Sequence, residues 1–104
     1  MAIVAVSVSP VGEGVSLSEY VAEALKVLEE RDDIEYEFGP MFTTIEGDPD
    51  VLFEVVRQMQ EAIFEKGADR VGTIVKMDDR RDKTHKMNTK MESVQKKMQK
   101  SHEK

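Results

Sequence analysis

A chain of 104 residues without a cysteine has room for one hydrophobic core, and it excludes disulfides, thiolate metal sites and a cysteine nucleophile. The formal charge of −6 is uneven: seven lysines against Asp82, Glu92 and Glu103 put residues 82–104 at +4 and residues 1–81 at −10. An acidic body repels phosphate backbones, and the basic end has no aromatic side chain for a base to stack on, so no nucleic-acid partner is expected.

Residues 2–9, Ala-Ile-Val-Ala-Val-Ser-Val-Ser, are rich in β-branched side chains and predict a first strand. Alternation sends Val4, Val6 and Val8 to one face and Ile3, Ala5, Ser7 and Ser9 to the other. This apolar run is too short for a secretory signal and has no basic segment before it. Nor does any stretch approach the roughly 20 apolar residues of a membrane span, so a cytoplasmic protein with no membrane partner is expected. After the turn at Pro10–Gly14, Ser16 and Glu19 have capping-box spacing. The first helix is predicted from Leu17 to Glu30, with Tyr20, Val21, Ala24, Leu25 and Leu28 as its apolar stripe.

Ile34 to Phe38 alternates and predicts a second strand, and Met41 to Glu46 a third. The short Gly39-Pro40 connection makes them antiparallel neighbours, with a bulge near Pro40, which has no donor for a ladder. Asp48 as N-cap and Pro49 at the first helical position open a second helix that Gly67 ends. Its stripe is Leu52, Val55, Val56, Met59, Ala62 and Ile63, and Val71 to Met77 follows as a fourth strand. Beyond it, Met87, Met91, Val94 and Met98 recur at helical spacing. The chain therefore divides into a domain of residues 1–81 and a basic, Met-striped helix or tail of residues 82–104.

The order β-α-β-β-α-β predicts an α+β fold, a ferredoxin-like sandwich with both helices on one face of an antiparallel sheet. The other face, carrying Ile3 and Ala5, is left without a helix, which predicts a homo-oligomer packed sheet against sheet. No catalytic constellation is visible. His85 and His102 lie in the basic end, Ser7 and Ser9 have no histidine in the body to activate them, and no P-loop or dinucleotide fingerprint occurs. No metal or cofactor site is expected, and the reading is a non-enzymatic protein.

Three polar clusters are candidates for binding. Ser7 and Ser9 end the first strand; Thr43, Thr44 and Glu46 lie on the third, its expected neighbour; Asp78 to Asp82, including Arg80, follow the fourth. Hydroxyls and a carboxylate on a sheet face closed by another subunit would line a small polar pocket, with Glu46 meeting an amino-heterocycle or a cation. The alternative is a structural or partner-binding oligomer without a small-molecule ligand. In that reading the hydroxyls are ordinary strand residues, Glu46 is a solvated strand end and Asp78 to Asp82 is a surface ion-pair cluster.

Four blocks carry a resemblance: Ser7-Val-Ser-Pro-Val-Gly12, the helix start from Ser16 to Val21, Gly39-Pro-Met-Phe-Thr-Thr-Ile-Glu-Gly-Asp48, and Arg70 to Asp82. In this order they resemble the small thiamine-binding, YkoF-like family over about residues 2–95. The resemblance implies ferredoxin-like subunits assembled as a tetramer of two dimers. It also implies binding, without turnover, of thiamine or its hydroxymethylpyrimidine moiety near the sheet interfaces. Carried onto this chain, the matching positions are Ser7, Ser9, Thr43, Glu46 and the Asp78 to Arg81 segment. Phe42 departs from the pattern, standing where a small residue is usual; its ring either stacks on a pyrimidine or fills the pocket.

Overall fold

Valines at every second position of the first segment build the strand around which the domain is organised. The computed structural model describes residues 1–12 and 17–82, together with Val94 and Met98. Six elements follow in order: Ala2–Pro10 (β1), Leu17–Glu29 (α1), Glu35–Glu37 (β2), Thr43–Gly47 (β3), Pro49–Lys66 (α2) and Val71–Asp79 (β4). They form one four-stranded sheet in the order β2-β3-β1-β4, and every neighbouring pair is antiparallel. This is the α+β, ferredoxin-like arrangement that the element order predicts.

The register assigns the faces. Val4 stands opposite Ile45 and Met77, Val6 opposite Thr43 and Val75, and Val8 opposite Thr73. Opposed residues share a face, and here it is the face under the helices. Val4, Val6 and Ile45 are fully buried with Leu28 of α1 and Leu52, Val55 and Ile63 of α2. Each such side chain contributes about 1.5–3 kcal/mol on leaving water. Ala24 of α1 is also buried, and Tyr20 and Leu25 pack against the same core. The second helix begins as its sequence predicts: the Asp48 carboxylate accepts from the Asp50 amide at 3.0 Å, and Pro49 occupies the first turn, where no donor is required. It ends at Gly67, whose φ of 124° favours glycine and whose amide donates to Phe64.

Two expectations are corrected. β2 has three residues rather than five, and β3 starts at Thr43 rather than Met41, so Gly39 to Phe42 forms a connection and not a bulged strand. The chain turns sharply there: a Cβ on Gly39 would stand 2.5 Å from the Phe42 carbonyl oxygen. Pro40 could not have contributed a ladder donor in any case. The second correction concerns the face away from α1 and α2, which is not uniformly bare. Ile3 and Glu46, at one end of it, are only 8% and 3% exposed, while Ile74 on the same face is 61% exposed. Ser16, the histidines and most of the Met stripe lie outside the described residues; Val94 and Met98 are helical and exposed.

Candidate functional site

The strand register decides which of the polar candidates meet. On the face away from the helices, one row across the sheet reads Glu35, Glu46, Ile3 and Asp78, and the next reads Glu37, Thr44, Ala5 and Lys76. Ser7, opposite Ile74, and Ser9, opposite Gly72, continue this face along β1. Thr44, Glu46, Ser7 and Ser9 therefore share one surface. Thr43 does not, because it stands opposite Val6 and is buried on the helix side.

Glu46 is the distinctive group. At 3% exposure it is not a solvated strand end. It lies directly across from Glu35, with Glu37 opposite Thr44 in the next row. Directly opposed residues stand with their Cβ atoms about 4.5–5.5 Å apart, so Glu35, Glu37 and Glu46 bring three acidic side chains to the β2–β3 side of this face. A carboxylate accepts hydrogen bonds at both of its oxygens. A cation or an array of N–H donors is the chemistry such a surface receives.

A second feature lies across the sheet. A cavity of about 150 Å³ opens between the end of β1, the middle of α1 and the connection from Phe38 to Thr43. Val21 and Leu25 of α1 and Met59 of α2 line it, as do Ser7, Phe42 and Thr43. An apolar cavity of that size holds a single six-membered ring. Glu46 is not among its lining residues, and its row on β1 is centred on Ile3, four residues from Ser7. At about 3.3 Å per residue that is roughly 13 Å along the strand. The predicted residues thus fall into two groups on opposite faces, the carboxylate row with Thr44 and the cavity with Phe42 and Thr43. Ser7 borders both.

Arg80 belongs to neither. Its guanidinium donates to Asp82 through Nε at 2.6 Å and Nη2 at 3.1 Å, and Arg81 similarly meets Asp79 at 3.2 Å. The hydrogen bond to Asp82, stronger in effect than the opposing burial, raises the Arg80 pKa above the ordinary arginine value. The segment is an ion-pair cluster at the end of β4. Among the described residues, no group of three or more acidic or histidine side chains could hold a metal ion, and no helix is long and apolar enough to cross a membrane.

The sequence reading names Ser7, Phe42 and Thr43 of the cavity wall but not Glu35, Glu37 or the helix residues of that wall as site residues. The signal for the glutamates was present in the alternation of Ile34, Glu35, Tyr36, Glu37 and Phe38, which sets the acids on one face. Only the register brings that face beside Glu46. The cavity wall is drawn from α1, α2 and a loop, a juxtaposition that no spacing along the chain encodes.

Comparison with known proteins adds a family. The chain is 49% identical over 100 residues to a UPF0045 protein of Staphylococcus xylosus, covering 92% of this chain and 94% of the relative. It is 45% identical over 103 residues to the UPF0045 protein YqgV of Bacillus subtilis, covering 95% and 99%. Among solved structures, the hypothetical protein MJ1052 of Methanocaldococcus jannaschii superposes with a TM-score of 0.81 at 30% identity, over 89% of this chain and 94% of that one. A Thermotoga maritima protein, provisionally assigned to thiamine biosynthesis or salvage, shares the fold at a TM-score of 0.75 and 22% identity, over 89% and 97%. The family described as thiamine-binding proteins matches residues 4–95. With nearly its whole described fold inside that match, the chain belongs to the thiamine-binding protein family.

Proposed function

We propose that this protein binds thiamine or its hydroxymethylpyrimidine part, without turnover, on the sheet face away from α1 and α2, closed by a second subunit in a tetramer. The observation that carries this reading is Glu46, a nearly fully buried carboxylate set beside Glu35 with Thr44 and Ser7 along the same face. Thiamine presents the matching chemistry, a permanent cationic ring and an aminopyrimidine with N–H donors. A carboxylate accepting a charge-assisted hydrogen bond contributes about 1.5–3 kcal/mol. The family's name and the provisional assignment of the Thermotoga maritima relative point to the same ligand class. The proposed role is binding rather than catalysis: the carboxylates of this face supply acceptors and charge, and the family is described as thiamine-binding.

Calorimetric titration with thiamine and with hydroxymethylpyrimidine tests the reading, with subunit number fixed by light scattering. Saturable heat at about one ligand per subunit is expected. A folded oligomer that gives no heat with either compound would withdraw the ligand.

A further inference from the structure

The sheet face that carries Glu46 ends where α2 begins. Glu46 stands two residues before Asp48, about 7 Å along an extended chain. The start of an α-helix is the ordinary seat of a phosphate, because its first amides have no partner within the helix and the helix dipole favours an anion there. In this chain the seat is filled from within. The Asp48 carboxylate accepts from the Asp50 amide at 3.0 Å, Pro49 has no N–H to offer, and Asp50 sets a second carboxylate in the first turn. Both aspartates are exposed. An approaching anion therefore meets two carboxylates where it would otherwise meet bare amides.

Among the described residues, the cations around this face are placed no better for a phosphate. Lys76 lies on β4, two strands from β3, or roughly 10 Å across the sheet. Arg80 is held by Asp82 and Arg81 by Asp79. We propose that Asp48 and Asp50 bar phosphate esters from the site, so that it takes thiamine or hydroxymethylpyrimidine with the hydroxyl free. This selection presupposes that the Glu46 face is the ligand site, and it adds the form of ligand which that site accepts. The two forms differ sharply in what they require. An ester phosphate carries about −1.5 to −2 charges near neutral pH and three strong acceptor oxygens, which call for cations or open N–H groups. Thiamine with its hydroxyl free is a cation with N–H donors, and carboxylates suit it. Selectivity then comes from repulsion of the wrong form as well as attraction of the right one.

Calorimetric titration of the full chain compares thiamine with thiamine monophosphate, and hydroxymethylpyrimidine with its phosphate. Each free alcohol is expected to bind about tenfold more tightly than its ester at low salt. The ratio should narrow near ~1 M salt, where charges are screened beyond about 3 Å. Asp48→Ser keeps an oxygen at the helix cap but removes the charge. Combined with Asp50→Asn, it is expected to narrow the ratio about fivefold through tighter binding of the ester, with a Tm near that of the parent. Esters that bind the parent chain as tightly as the alcohols would overturn the proposal and leave the ligand site in place. A ratio unmoved in a double variant that melts normally would take the exclusion away from these aspartates and overturn it too. No heat from either alcohol would remove the ligand reading itself, and this selection with it.

Discussion

Glu46 and Phe42 separate the two places where a small ligand can sit, because they serve opposite faces of the sheet. With the ligand on the face away from α1 and α2, Glu46→Gln removes the charge but keeps the shape, and thiamine affinity should fall about 10- to 100-fold with the oligomer intact. Phe42→Ala enlarges the cavity beneath α1 and should leave affinity within about twofold. Calorimetry on the two variants reads this directly, and the opposite pattern would move the ligand into the cavity. The residue types were legible beforehand: a carboxylate and hydroxyls on adjoining strands stand out in an acidic chain. The burial of Glu46 was not, since a strand-end glutamate is ordinarily solvated.

The helices are held by devices at their ends as well as by their stripes. Asp48 satisfies the first turn of α2, and Asp48→Ala should cost about 1 kcal/mol, a fall in Tm of roughly 4–8 °C in a thermal melt. Just beyond α1, Arg31 donates to both carboxylate oxygens of Asp33 at 2.9 and 2.7 Å and to Gln58 of α2 at 3.0 Å, with Glu54 3.4 Å away. This fork ties the end of one helix to the middle of the other. The hydrogen bond from Arg31 lowers the Asp33 pKa, so its contribution is present above the ordinary aspartate range and is lost as pH falls through the lower folded value. Asp33 is solvent-exposed, which keeps the effect small. Urea midpoints measured across the acid range should therefore show a shallower loss of stability in Arg31→Ala than in the parent.

At the scale of the whole molecule, neither α1 nor α2 covers the sheet face that carries Ile3, Ala5 and Ser7. The basic, Met-striped end lies mostly outside the described residues. Removal of residues 83–104 should leave thiamine affinity unchanged in calorimetry while abolishing any capture of a partner by that end. Loss of thiamine binding on truncation would bring the C-terminal end into the site.

The chain by itself determined the element order, the core valines and helix stripes, and both boundaries of α2, because these rest on periodicity and capping chemistry within a few residues of one another. It also carried the four blocks that mark its family. Tertiary structure decided what depends on register. Thr43 and Thr44, adjacent in sequence, part to opposite faces, and Glu35 comes to stand across from Glu46. It decided too that Phe42 walls a cavity with α1. A strand's alternation specifies two faces; only its pairing says which neighbours share them.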